Sequence, residues 1–229
     1  MKKAVLLLGL LMSGLSAAAQ WLSQPITFGQ AGGANFVLSA VDASVAWTTV
    51  VRLNISPTRQ LMRTVNGGAT WAPVNVTGLT NSEYVIGLHA LDATTAWAVV
   101  ASILPAAGTA RVVKTTDGGQ TWTRSTSTSQ FGSTSSFLHY VRFFSPTQGV
   151  AIGDAISGSF EIYITADAGA TWTAVPAANI PAAQPSEAAG QIDVPTLAQL
   201  GNTLWFCTTA GRVFRTTDAG QTWTVASTP

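Results

Sequence analysis

The stretch TTDGGQTW, residues 115–122, combines an acid, two adjacent glycines, three threonine hydroxyls and an indole. Those are the ingredients of a binding loop. The stretch does not stand alone, however. TVNGGATW (64–71), TADAGATW (165–172) and TTDAGQTW (216–223) repeat its plan, and Trp71, Trp122, Trp172 and Trp223 fall 51, 50 and 51 residues apart. A period of that length held over four copies marks a repeat architecture, in which each copy is one supersecondary unit.

Outward from the boxes the unit acquires internal structure. VDASVAWTTV (41–50) and LDATTAWAVV (91–100) match closely, and FSPTQGVAIG (144–153) and LGNTLWFCT (200–208) occupy the same slot. In the third copy, segments 137–144, 149–155, 160–166 and 171–175 read as strands separated by SPTQ, ISGS and DAGA turns. Four short strands per repeat, joined by turn-forming residues, predict a β-propeller blade, a sheet that buries its faces only against its neighbours. The expected fold class is therefore all-β, with four-stranded antiparallel blades over 34–75, 83–126, 137–175 and 193–226. QWLSQPI (20–26) resembles the fourth strands, and Trp21 lies 50 residues before Trp71. It reads as a fourth strand with no blade before it. Four blades plus a spare strand predict an incomplete part of a larger propeller; a compact four-bladed ring is the alternative.

The composition agrees. The chain of 229 residues is 47% hydrophobic and 9% charged, too apolar for disorder. Thirty-one threonines supply polar surface and suit a half-exposed pleated sheet. MKKAVLLLGLLMSGLSAAAQW begins with two lysines, an apolar run and small residues, which predicts a signal peptide over 1–19 and a secreted or cell-surface chain. The run is too short to span a membrane. Without Lys2 and Lys3, nine basic residues face ten acidic ones, which argues against nucleic-acid or anionic-membrane partners. The single cysteine, Cys207, cannot form an internal disulfide, and its LWFCTT setting predicts a buried, inert thiol.

The pattern Ser/Thr-x-Asp-x-Gly-x-Thr-Trp resembles the Asp box, or bacterial neuraminidase repeat. That repeat occurs in sialidases, sortilin-type receptors, xyloglucan-cleaving enzymes and photosystem II assembly-factor-like propellers. The long segments between boxes, as in GVAIGDAISGSFEIYITADAGATW (149–172), look most like the last group, especially secreted bacterial members that end in a type IX sorting domain. The resemblance covers residues 20–229, and likeness to the assembly-factor-like propellers would put the whole propeller at about seven blades. It is specific for fold and weakly specific for activity.

Within each box, Asn66, Asp117, Asp167 or Asp218 is placed to accept turn N–H groups. Gly68, Gly119, Gly169 and Gly220 supply positive φ, and Trp71, Trp122, Trp172 and Trp223 cover the hairpin base. Asn66 keeps the turn bonds without a charge, which a metal site or general acid would not tolerate. The boxes are therefore expected to be structural, with no metal and no cofactor.

Function is then expected at the opposite face, among long loops rich in Ser, Thr, Asn and Gln. The ionisable residues free of a repeat role are Glu83, Asp154, Glu161, Glu187 and Asp193, with His89 and His139. Asp154 and Glu161 flank one hairpin and are the catalytic candidates, since glycosidases use carboxylate pairs about 5 to 9.5 Å apart. A hairpin-mouth pair that is merely solvated is the bland alternative. His139, Tyr140 and Arg142 fall on an innermost strand, where they either face a ligand or line a watery channel. Glu83, Tyr84 and Glu187 complete the binding candidates, and Tyr84 and Phe131 are candidate aromatic platforms. The Arg-Ile-Pro segment of sialidases is absent. The expectation is a non-enzymatic module binding protein or glycan at the cell surface. A glycoside hydrolase of sialidase or xyloglucanase type is the alternative.

Overall fold

The computed structural model describes residues 33–52, 59–104, 106, 108–190 and 196–227. The signal segment, the spare strand at 20–26, the 53–58 loop and Asp193 lie outside the described residues. Sixteen described strands form four sheets, each an antiparallel meander in chain order. The first sheet holds β1 (Gly33–Ala40), β2 (Ala46–Arg52), β3 (Gln60–Thr64) and β4 (Ala72–Asn75). The second holds β5 (Glu83–Ala90), β6 (Ala96–Ser102), β7 (Arg111–Thr115) and β8 (Thr123–Arg124). In the third are β9 (Leu138–Phe143), β10 (Gly149–Ile156), β11 (Ser159–Thr165) and β12 (Thr173–Ala174). In the fourth are β13 (Leu197–Leu200), β14 (Thr203–Cys207), β15 (Arg212–Thr216) and β16 (Thr224–Ser227). The protein is an all-β propeller array of four blades.

Packing between blades explains why some strands are continuously apolar. Ala96 to Ala101 of β6 are all buried, because the second sheet is covered on both faces. Ala96, Ala98 and Val100 pack toward the first sheet with Trp47, Leu61 and Val74. Trp97 and Val99 point the other way, toward Leu138, Val141 and Phe143 of the third. Val150, Ile152 and Ile162 then meet Leu204, Phe206 and Phe214 of the fourth. Among the described residues no such cluster joins the fourth sheet to the first.

The box tryptophans belong to these junctions. Trp122, Trp172 and Trp223, at 9%, 6% and 5% exposure, each pack back against the preceding blade. Each burial is worth roughly 4–6 kcal/mol gross. Trp71 has no described blade before it and is only half-buried.

Each box forms the turn from third to fourth strand, and its first threonine organises it. Thr115 Oγ1 accepts the Gly119 N–H at 2.9 Å and donates to Asp117 Oδ1 at 2.8 Å. Asp117 in turn accepts the Thr121 N–H at 3.0 Å and the Thr121 hydroxyl at 2.6 Å. Thr165–Asp167–Thr171 and Thr216–Asp218–Thr222 repeat the scheme. In the first box the Asn66 Nδ2 donates to Thr70 Oγ1 at 2.8 Å, so that hydroxyl becomes an acceptor. The Thr121 and Thr171 hydroxyls, followed by their N–H groups, hold Asp117 and Asp167 at a pKa of about 2.

Two sequence expectations need correction. Positive φ is needed at the fourth box position as well as the fifth: Gly67, Gly118, Ala168 and Ala219 have φ of 68°, 76°, 60° and 58°. Two alanines therefore sit in the left-handed region, at a cost of roughly 1–2 kcal/mol each. Cys207 is exposed rather than buried, because it lies on the uncovered face of the fourth sheet.

Candidate functional site

The turns between first and second strands share one end of the blades with the boxes. Gly118 N donates to Thr94 O at 2.8 Å, and Ala168 N to Thr147 O at 2.9 Å. The opposite end therefore gathers the starts of first and third strands, the ends of second strands and the connections between blades. Glu83, Tyr84, His139, Asp154, Glu161 and Glu187 all come to that end, as their positions in β5, β9, β10, β11 and the 176–196 connection require.

Most of their charges are already engaged. Glu83 is 5% exposed, accepts Thr80 N–H at 2.7 Å and pairs through both oxygens with Arg111, itself 9% exposed. Burial pushes the Glu83 carboxyl up, but Arg111 and Thr80 more than offset it and hold the group below the usual carboxylate range. Glu187 repeats the device: it accepts Gln184 N–H at 2.8 Å and Arg212 Nε–H at 2.9 Å, with the Thr208 hydroxyl as a further donor. A Ser-Glu pair, at the start of the first strand in the second blade and ahead of it in the fourth, and an Arg opening the third strand thus recur. Sequence reasoning missed this latch. Its signal was the 28- and 25-residue Glu–Arg spacing.

The third blade is arranged differently. His139 Nε2 and Asp154 Oδ1 lie 2.9 Å apart, and the same oxygen accepts Ala189 N–H at 2.8 Å. Across the hairpin, Glu161 Oε2 is buried with no hydrogen-bond partner. Burial pushes its carboxyl up; the Ser136 hydroxyl offsets part of this, and the Asp154 charge adds to the rise. The two catalytic candidates are therefore brought together, in unlike environments. Tyr140 OH lies 2.7 Å from Thr196 Oγ1, and Arg142 Nη1 lies 3.5 Å from His89 Nδ1. Burial, then the Arg142 charge, lowers the His89 pKa to about 3, so its ring is neutral and Nδ1 accepts. Tyr84 is half-buried, which pushes its hydroxyl up. Phe131 is fully buried against Tyr163 and offers no platform to a ligand.

What the loop end presents to solvent is mostly neutral. Thr128, Ser129, Ser133, Thr134 and Ser135 are exposed. A cleft of about 110 Å³ opens between Ser102, Thr109, Thr134, Ser135 and Phe137. Two hollows are larger: about 390 Å³ at the box end between the third and fourth blades, and about 380 Å³ beside Ser125, Ser127, Gln130 and Trp172. Among the described residues no three His, Cys, Asp or Glu side chains are grouped to hold a metal, and no helix is long and apolar enough to cross a membrane.

No protein-family model and no curated protein matches the chain. Solved structures do. YCF48 from Cyanidioschyzon merolae matches over 86% of this chain and 57% of its own, at 15% identity and TM-score 0.57. The GH74 enzyme NkGH74 of Niastella koreensis matches over 83% and 30%, at 19% identity and TM-score 0.58. A Dyadobacter fermentans protein of unknown function matches over 88% and 71%, at 14% identity and TM-score 0.57. The likeness is one of fold. The chain spans about half the length of the YCF48 structure and under a third of the GH74 enzyme. A propeller scaffold shared by proteins so differently named leaves activity to be argued from the site.

Proposed function

We propose that this chain is a secreted or cell-surface recognition module, of the photosystem II assembly-factor-like kind, that binds a protein or glycan across the loop end of its blades. The observation that carries this reading is the disposition of charge there. Glu83, Glu187 and Asp154 are bound to internal partners, and hydroxyls of the 127–136 loop face solvent. Neutral donors and acceptors on rigid strand-borne loops suit sugar hydroxyls and peptide main-chain groups. Screening the purified chain on glycan and peptide arrays tests it. Combined Ser133→Ala, Thr134→Ala and Ser135→Ala should weaken the bound class on the order of tenfold, if each lost hydrogen bond contributes about 0.5 kcal/mol. Binding unchanged in that variant refutes the assigned face.

A second reading is favoured by one observation. Glu161, its carboxyl pushed up by burial, stands near Asp154, and carboxylates held in unlike environments are the acid–base arrangement of glycosidases. A hydrolysis screen on extracellular polysaccharides separates the two readings. Turnover abolished by both Asp154→Asn and Glu161→Gln would establish an enzyme.

A further inference from the structure

Within the chain, a cation from one blade grips the box turn of the next. Trp47 and Arg63 are cross-strand partners on β2 and β3, with the guanidinium 5.2 Å from the indole centre. Trp47 Nε1 donates to Asp92 O at 3.0 Å, and Arg63 Nη1 donates to Ala93 O at 2.7 Å and Gly118 O at 3.1 Å, all on the second blade. Trp97 and Lys114 stand at the same places one blade on, with the ammonium 5.1 Å from the ring. Both donate to Ala168 O, at 3.3 and 2.9 Å. Gly118 and Ala168 occupy the same fourth position of the receiving box. The carbonyl at that position is a ready acceptor for a cation.

The third blade breaks the scheme. Val150 and Ile164 are its cross-strand pair at these places, whereas the fourth blade returns to Trp205 and Arg215. Val150 is fully buried and closes the place of the indole. Ile164 is half-buried, shorter than a lysine and without a donor, and the place of the cation stays open. A hollow of about 390 Å³ lies there, with Gln148, Ile164 and Thr173 of the third blade facing Ala219 and Gln221 of the fourth. That is at the low end of ligand pockets, which run from about 300 to 1,000 Å³. Ala219 is the fourth residue of its box, with φ of 58° against 60° at Ala168, inside the same turn hydrogen bonds. Its carbonyl is therefore aimed at the third blade as Ala168 O is at the second. Gln221 gives its Nε2–H to Asp218 O at 3.1 Å, and no described side chain donates to Ala219 O. None of the lining residues is charged, while the two flanking boxes bring the carboxylates of Asp167 and Asp218.

We propose that this hollow binds the ammonium or guanidinium of a lysine or arginine side chain on a protein partner, supplying from outside the cation that Arg63 and Lys114 supply from within. The aliphatic stem lies along Ile164 and the head donates to Ala219 O in a charge-assisted hydrogen bond. An apolar side chain leaves the carbonyl without a donor, and an anion meets two carboxylates. The hollow is at the box end, so it is separate from the loop face assigned above, and neither reading depends on the other.

Titration of the isotope-labelled full chain with capped Gly-Lys-Gly and Gly-Arg-Gly peptides, followed by NMR shifts, tests this. Saturable shifts should centre on Ile164, Ala219 and Gly220. A capped Gly-norleucine-Gly peptide, which has the stem without the charge, should give none. Ile164→Lys puts the cation into the chain itself. It should raise the melting temperature by roughly 2–4 °C and weaken peptide binding on the order of tenfold or more. Lys114→Ala opens the corresponding place one junction earlier and should add shifts at Ala168 and Gly169. Shifts absent at Ala219, or equal for the norleucine peptide, overturn the proposal. So does binding that Ile164→Lys leaves unchanged or, where that variant does not fold, a Lys114→Ala chain whose Ala168 does not respond.

Discussion

At the box end the four blades share one turn. The first threonine of each box accepts the fifth-residue amide at 2.9 Å in all four copies. At the loop end they are not. Two blades carry a buried Glu–Arg latch, and the third has His139, Asp154 and a buried Glu161 oxygen with no partner. The contrast shows how a repeat scaffold divides its labour. One end fixes the period and hands each blade to the next; the other is free to vary, because each loop needs only its own local partners.

The sharpest way to break the comparison is at the latch. Glu83→Ala leaves Arg111 buried without its partner, and should cost about 3–5 kcal/mol in denaturant unfolding. A cost under about 1 kcal/mol would show that the loop end is not held by such pairs. Next in size is the response to acid. His89 is neutral in the fold, with its pKa lowered to about 3, so below pH 6.5 protons favour the unfolded chain. The stability it contributes is complete above its ordinary value and is lost as pH falls toward 3, by about 2–3 kcal/mol at pH 4.5. His89→Gln should flatten unfolding free energy between pH 6.5 and 4.5; an unchanged slope would assign the acid sensitivity to other groups.

The box end should fail differently. Thr165→Val keeps shape but strands the buried Gly169 amide and removes a donor to Asp167, for about 1–3 kcal/mol. Amide exchange should quicken at Gly169 and leave the Glu187 latch untouched. Exchange that quickens equally at both ends would mean the blade has no separable halves.

The sequence displayed the box end well and the loop end poorly, for a physical reason. A turn that recurs announces itself by period, so four blades and their strands were legible from Trp71 to Trp223. The role of the tryptophans was half legible: an indole next to a turn says that something is covered, not that Trp172 reaches the preceding blade. Glu83 and Glu187 looked like free carboxylates because their arginines lie 28 and 25 residues away, beyond any local pattern. Cys207 looked buried because its run is apolar, yet alternate residues of a strand face opposite ways, and its side of the fourth sheet is open. Ala168 and Ala219 concealed the second left-handed position, since alanine gives no hint of positive φ.

Those alanines also provide the smallest and most discriminating test. Ala168 has φ of 60°, and its carbonyl takes the Trp97 and Lys114 donors, so the strain sits where one blade is gripped by another. Ala168→Gly relieves the left-handed penalty of roughly 1–2 kcal/mol and adds the glycine entropy cost of roughly 0.5–1 kcal/mol. The net gain should be about 0.5 kcal/mol, a rise of a degree or two in melting temperature. The reverse change is not its mirror image. A Cβ on Gly118 would come within 2.2 Å of Arg63 Nη1, so Gly118→Ala adds strain and also displaces the cation that grips the turn. If the two substitutions proved equal and opposite, the fourth box position would matter for backbone conformation alone. A larger loss at Gly118 would show that the turn is also shaped to be held.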